Sequence, residues 1–513
     1  MNLDILAAHA AQGPERLALV DDGGRTRTYA ELNARANRAA NALAALGLAA
    51  GDRCIHVHYN CIEGFEVGHA LRKLGAVSVP MNTRLRGSEI AYLINDSGAR
   101  VVVAGPEFTG AIDEARTQVE DAQGRRWLVL GDGAPGDGWT SYEAVLAEAS
   151  DAAPDGAGAL GAPTMIYTAG TTGNPKGALR GGGVDPETIA TWMAAFKFNS
   201  EDVHLLAGPS YHSAPGVFSG LQQMLGAATV VMRRFDPVLA LRLIAEHRVT
   251  TTFMAPILVK RIVDVPAGVR AAHDVSSMRC VIVAAAPFPG ELKRRAVELF
   301  GPSVFEFYGA TETGLVTLIT PEELLRRPDS CGRALPSVEV LLLDDDGREV
   351  PEGQPGELWA RSPALFTAYH NKPEATERNR RDGYFTVGDV AWRDPDGYIH
   401  ICDRKVDMVI SGGVNIYPAE IEAVLHAHPA VEDCAVIGVP DPEWGESLKA
   451  VVKLHPGAGA TDVELIGFVG ERLAAFKRPR SVEFVDEFPR DSAGKLLKRL
   501  LRDRHWSAEG RQV

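Results

Sequence analysis

The sequence predicts an α/β protein built from one large and one small domain, and three observations carry that prediction. The chain has 513 residues, well beyond the size at which a single hydrophobic core stops growing. Helix-period and strand-like runs alternate over the first ~150 residues, as parallel α/β layers require. After about residue 335 the texture changes to short strands with Asp/Gly turns (LLLDDDGREV, AWRDPDGYIHICDR), a β-rich subdomain by pattern. From about residue 408 a compact α/β unit follows.

Each element has a local cause. TYAELNARANRAANALAALG reads as an amphipathic helix: Thr28 suits its N-cap, Glu31 lies three residues on, and Gly47 suits its end. A strand at RCIHVHY, a helix near EGFEVGHALRKLG and a strand at AVSVPM come next. The Ala/Gly/Pro-rich segment 151–163 reads as a surface connection. TMIY (164–167) is a strand that runs directly into a Gly/Thr loop. Further strands are expected near HLLAG, ATVVM, TTFMA and RCVIVA. In the last part a helix opens at Pro418, a good first-turn residue, and places Ile421, Val424 and Leu425 on one face. The segment DRKVD (403–407) falls between two strands and is the candidate boundary between the large and small domains.

Composition removes several function classes. No apolar run reaches the ~18–20 residues of a membrane span, and MNLDILAAHAAQ has no basic n-region, so no signal peptide is read there. The six cysteines are scattered with no CxxC pair, a pattern of reduced thiols in the cytoplasm. A net charge of −14 argues against a general nucleic-acid or anionic-membrane surface. Between Lys477 and Arg504, however, nine Lys/Arg face five acids. That basic tail is either a solvated face or one that meets phosphate.

The strongest chemical signal is YTAGTTGNPKGA (167–178). Gly170, Gly173 and Gly177 let a ligand approach the backbone, Thr168, Thr171 and Thr172 supply hydroxyls, and Lys176 supplies a charge, which together make a phosphate cradle. It is not a Walker A loop, because Gly177 follows Lys176 where that pattern needs Ser or Thr. In EFYGATETG (306–314) an apolar strand breaks at Gly309. Tyr308 can stack on a planar base, and Glu312 beside Thr311 and Thr313 offers the hard oxygen that Mg²⁺ prefers; Glu312 can equally cap a following helix. In the segment 385–422, Asp389 after a strand and turn can bind ribose hydroxyls with Arg404 in support, or both are surface charges. PRDSAGKLLKR (489–499) presents Lys495 on a polar loop before a helix. CIHVHYNC (54–61) invites a metal reading, but strand alternation puts Cys54, His56 and His58 in a line rather than a tetrahedron. GPSYH (208–212) lacks the second glycine of a nucleophile elbow.

Together and in this order, these motifs resemble the acyl-adenylate-forming superfamily of acyl-CoA synthetases, luciferases and peptide-synthetase adenylation domains, from about residue 10 to about 502. The resemblance implies an adenylation domain at 1–403, a hinge at 404–407 and a small mobile C-terminal domain at 408–513. It implies ATP, Mg²⁺ and coenzyme A as cofactors or co-substrates, and an acid–thiol ligase reaction through an acyl-adenylate. Thr168, Thr171, Thr172 and Lys176 would hold the β/γ-phosphates. Ala285 and Ala286 would line the adenine slot against Tyr308, Thr311 would meet the α-phosphate, and Glu312 would hold Mg²⁺. Asp389 and Arg404 would bind ribose, Lys495 would clamp the acyl-phosphate, and Gly412 and Gly413 would pass the pantetheine arm. The acyl pocket would lie beside His212, Phe307 and Gly309. An apolar monocarboxylate (fatty, aromatic or alicyclic) is the implied acid, because no carboxylate awaits an α-ammonium and Phe307 stands where malonate activators carry Arg. The alternatives are delivery to a carrier-protein thiol and a non-catalytic nucleotide-binding protein; a homodimer is compatible with the chain and unspecified by it. Three positions depart from the pattern: Ala169 replaces a serine, Ala284 a glycine, and Val406 the usual hinge Asp or Lys.

Overall fold

The computed structural model describes residues 4–131, 136–154, 163–168, 175–182, 184–412, 414–490 and 496–506. Among these residues the strands form four sheets. The first has nine strands, with Val304–Ala310, Cys280–Val283, Thr251–Met254, Val203–Leu206, Ala228–Val231 and Leu17–Asp21 side by side and parallel. The second has eight strands and includes Arg53–Val57, Val77–Pro80 and the antiparallel pair Thr164–Thr168 and Lys176–Arg180. In both sheets the parallel strands are buried on two faces, as cover by helices on either side requires. A third, antiparallel sheet contains Glu339–Leu343, Gly356–Arg361, Tyr384–Arg393 and Ile399–Arg404. The fourth, built on the long hairpin Val431–Asp441 and Gly445–Leu454, is the core of the small C-terminal domain. The chain is thus a large N-terminal α/β domain with a β-rich part, followed by a smaller α/β domain.

Local chemistry explains the boundaries. The helix Tyr29–Ala45 starts with a full capping box: Thr28 Oγ1 accepts from Glu31 N at 3.2 Å, and Glu31 Oε2 accepts from Thr28 N at 2.8 Å. The helix Pro418–His426 buries Ile421 and Leu425. Arg404 is the last residue of the third sheet and Val409 opens the first strand of the fourth. The segment between them is held from both sides. Lys405 Nζ reaches Asp345 at 2.8 Å and Glu357 at 3.1 Å. From the far end of the chain, Arg502 donates to Val406 O at 2.9 Å and to Asp407 at 3.1 Å. The helix Lys498–Arg502 also brings Lys498 to Glu422 at 2.8 Å.

Three expectations need correction. The strand of EFYGATETG does not stop at Gly309 but runs to Ala310 through a bulge, and it folds back as a hairpin into Gly314–Ile319 rather than into a helix. Asp389 lies inside the strand Tyr384–Arg393, not after it, although Gly388 before it takes φ +79°. The CIHVHYNC strand ends at Val57, so His58 leaves the line and turns back, its Nε2 3.1 Å from His56 Nδ1. Burial holds His56 down to about 3, and no metal-binding group of His, Cys, Asp or Glu occurs among the described residues.

Candidate active site

The C-terminal ends of the parallel strands converge with the third sheet, and Thr168, Tyr308, Glu312, Asp389 and Arg404 meet there. The hairpin after Val304–Ala310 makes the first half of the site. A Cβ on Gly309 would sit 2.1 Å from Gly314 O, so the backbone admits only glycine. Thr313 Oγ1 accepts from Ala310 N at 3.1 Å and closes the turn. Glu312 is thereby carried under the eight-stranded sheet, where its Oε1 accepts from Tyr369 OH at 2.8 Å and from Thr168 Oγ1 at 3.2 Å. Its Oε2 has no hydrogen-bond partner among the described residues. Arg180 fastens the same turn by donating to Thr311 O and Ala364 O. Lys176 extends over the face of Tyr369, 5.2 Å from the ring centre.

The second half is built from cross-strand neighbours. Asp389 and Arg404 are paired directly across their strands, and Arg404 Nε lies 3.4 Å from Asp389 Oδ1. The other carboxylate oxygen accepts from Tyr308 OH at 2.6 Å. Burial pushes the Tyr308 phenol well above its usual range, with the Asp389 charge adding to it, so the hydroxyl stays a donor. Burial works against the charge on Arg404, but Asp389 and Asp407 outweigh it and raise its pKa. A carboxylate has about four lone-pair sites, so Asp389 keeps capacity for a ligand hydroxyl after holding Tyr308 and Arg404.

The turn beyond Cys280–Val283 adds a strained feature: Ala285 is exposed and takes φ +78°, a region that alanine enters at a cost of roughly 1–3 kcal/mol and that clusters at functional sites. This strand adjoins Val304–Ala310, so Ala285 and Ala286 flank the end that carries Tyr308.

His212 is the N-cap residue of the helix Ser213–Met224, with its ring 4.5 Å from that of Tyr211. Asn60 fixes this loop: its Nδ2 donates to Gly208 O and Met232 O, each at 2.9 Å, and its Oδ1 accepts from Ser210 N at 2.8 Å. Phe307 is 7% exposed and packs on Phe218 and Phe253, with ring centres 5.8 Å and 6.2 Å away. In the small domain Gly412 takes φ +57°, and a Cβ there would lie 2.5 Å from the Trp444 ring. Its N–H donates to Trp444 O at 2.9 Å.

The profile described as AMP-binding enzyme matches residues 6–370, and that described as AMP-binding enzyme C-terminal domain matches residues 420–495. The chain belongs to the AMP-binding enzyme family. Among its relatives is a feruloyl-CoA synthase of Amycolatopsis sp, 37% identical over 488 residues that cover 94% of this chain and 95% of the relative. A long-chain-fatty-acid–CoA ligase of Mycobacterium tuberculosis is 34% identical over 512 residues, covering 98% of each. The ATP-bound crystal structure of MatB from Rhodopseudomonas palustris superposes with a TM-score of 0.87 at 33% identity, covering 98% of this chain and 99% of that one. Within the family the chain falls among the AMP-forming acyl-CoA synthetases.

In this AMP-binding enzyme the structure brings Thr168, Glu312, Tyr308, Asp389 and Arg404 into two bonded groups on one hairpin, with Lys176, Thr311, Ala285 and Ala286 beside them. His212 and Phe307 sit on the separate, apolar side, and Gly412 lies in the small domain. Thr171, Thr172, Gly413 and Lys495 fall outside the described residues. Sequence reasoning missed Tyr369, Arg180 and Asn60. Each acts through a partner more than 50 residues away, a relation no local pattern displays.

Proposed function

We propose that this chain is an ATP-dependent acyl-CoA synthetase that converts an apolar monocarboxylate into its acyl-adenylate and passes the acyl group to coenzyme A, releasing pyrophosphate and AMP. The observation that carries the reading is the hairpin 308–312. It links a Tyr–Asp–Arg group, centred on the buried Asp389 and suited to a nucleoside, with a Thr–Glu–Tyr group suited to phosphate and its cation. Tyr308 offers a ring to adenine while its hydroxyl orients Asp389 toward the ribose. Thr168 and Lys176, with Thr171 and Thr172, hold the β/γ-phosphates.

Glu312 fits Mg²⁺: a buried carboxylate with one oxygen fixed by two hydroxyls and the other without a partner among the described residues is a rigid, hard ligand. When bound, Mg²⁺ would neutralise phosphate charge during departure of pyrophosphate. The acid carboxylate attacks the α-phosphorus, with Thr311 and Lys495 as the groups that orient and stabilise it. No covalent enzyme intermediate is required, so positioning and charge supply most of the catalysis. His212 and Phe307 border the acyl group, and the buried aromatic wall behind Phe307 supports an uncharged tail. Residues 404–407 serve as the hinge. Its rotation brings Gly412, backed by Trp444, and with it Gly413 to the adenylate, with the basic tail toward the CoA phosphates. Free thiols at all six cysteines support a cytoplasmic setting.

Separated half-reactions test this. Lys495→Ala is expected to abolish adenylate formation while sparing CoA-dependent consumption of pre-made acyl-AMP; equal loss of both removes the role given to Lys495. Acyl transfer to a carrier protein without transfer to CoA would replace the acceptor.

A further inference from the structure

The helix Ser213–Met224, which His212 caps, packs across the strands Val203–Leu206, Ala228–Val231 and Thr251–Met254. Parallel pairing arranges the covered face in transverse rows. One row holds Phe253, Ile282 and Phe305. Two residues nearer the strand N-termini, about 7 Å deeper, a second row holds Cys280, Thr251, His204 and Thr229.

The upper row is an aromatic floor. Phe218 from the helix stacks on Phe253, with centres 5.5 Å apart and planes 11° from parallel, and Phe307 closes the side. The lower row is polar and sealed: His204 is 1% exposed, and Thr229, Thr251 and Gln222 are 0%. Gln222 Nε2 donates to Thr251 Oγ1 at 3.2 Å, and that hydroxyl lies 3.0 Å from His204 Nδ1. Thr251 Oγ1 keeps a second lone pair after accepting from the amide, so either His204 Nδ1–H donates to it or the hydroxyl donates to Nδ1, and in the second arrangement the His204 proton lies on Nε2. Four buried atoms then have no partner among the described residues: His204 Nε2, Gln222 Oε1, Ser219 Oγ and Thr229 Oγ1. Ala214, Phe218 and Gln222 share one helical face at four-residue spacing, so a single stripe leads from the His212 mouth over the floor to these atoms.

We propose that the acyl pocket ends on the Phe218–Phe253 pair, and that the unpaired polar row behind it makes the stop chemical as well as steric. Compact acids, such as arylcarboxylates, arylpropenoates and short chains, fit above the floor. A longer alkyl chain has to displace Phe218 and then lie against donors and acceptors it cannot satisfy. A terminal hydroxyl, which both donates and accepts, can pair with His204 Nε2 in either tautomer and can donate to Gln222 Oε1. The inference rests on the reading of His212 and Phe307 as the walls of the acyl site.

Acid-dependent pyrophosphate release by the full chain tests it with benzoate, cinnamate, octanoate, dodecanoate and ω-hydroxydodecanoate. The wild-type kcat/KM is expected to fall at least about 100-fold from cinnamate to dodecanoate, since unpaired buried polar groups discriminate strongly. Phe218→Ala is expected to raise kcat/KM for ω-hydroxydodecanoate at least about 10-fold more than for dodecanoate, one good buried hydrogen bond. Phe253→Leu, which keeps more of the packing, should show the same order. Dodecanoate used as well as cinnamate by the wild type overturns the stop, and equal gains for the two long acids in both variants overturn its chemical part. Pyrophosphate release with none of the acids would instead contradict the ligase reading on which the inference stands.

Discussion

Tyr369 and Thr168 hold one oxygen of Glu312, so the orientation of a single carboxylate depends on two hydroxyls from another sheet. Removing the nearer hydroxyl in Tyr369→Phe deletes a hydrogen bond to a charged group. Such bonds contribute about 1.5–3 kcal/mol, so kcat/KM for ATP should drop roughly 10- to 100-fold at limiting Mg²⁺. Pyrophosphate exchange at several Mg²⁺ concentrations reads this; an unchanged Mg²⁺ dependence would remove Glu312 from metal binding. On the nucleoside side, Asp389→Asn keeps the shape but loses the charge that Arg404 and Tyr308 face. The KM for ATP should rise about 10-fold with kcat little changed, because a ribose contact is formed equally in ground and transition states. The residues themselves were readable from the sequence as types at spacings. Their partners were not: Tyr369 is 57 positions from Glu312 and Asp389 is 81 from Tyr308, distances that only the sheets close.

Elements were legible where the cause is local. The capping box at Thr28 and Glu31 is present as its spacing suggested, and Thr28→Ala should cost about 1 kcal/mol, measured by denaturant unfolding of the large domain. The hairpin at 308–314 was misread as a strand with a helix to follow because its turn is set by cross-strand crowding, not by turn-forming composition. Gly309→Ala exposes that crowding directly. A methyl 2.1 Å from Gly314 O forces the hairpin apart, and the variant should lose both ATP binding and stability, by ~2 kcal/mol or more in line with strained backbone sites. A calorimetric scan with and without ATP reads both effects. The straight line of Cys54, His56 and His58 expected in CIHVHYNC does not form. His58 is outside the strand and bonded to His56, so the two imidazoles satisfy each other.

At the scale of the whole molecule, the change from the third sheet to the fourth at residues 404–409 overlaps the segment 403–407, which the sequence shows only as a short polar stretch between two strands, and the two profile matches fall on either side of it. The contacts that hold Val406 and Asp407 from Arg502 were invisible, since they join positions about 95 apart. Buried neutral histidines give the molecule a pH signature. Burial lowers His204 to about 4, against about 6.5 in the unfolded chain. Below pH 6.5 the unfolded state takes up a proton that the native state refuses, so stability is full above that value and falls as pH drops toward 4, by about 2 kcal/mol at pH 5 from this group. His56 and His69 act in the same direction. Urea unfolding at pH 7.5 and pH 5 should therefore show a smaller acid loss in His204→Gln than in the wild type.

In the proposed ligase one hairpin unites the nucleoside, phosphate and acyl sites. Product analysis of a single reaction of the full chain with ATP, Mg²⁺, coenzyme A and cinnamate tests it most directly. AMP, pyrophosphate and cinnamoyl-CoA are expected in equal amounts, all three dependent on the acid. ADP and orthophosphate, or AMP formed without any acyl-CoA, would contradict it.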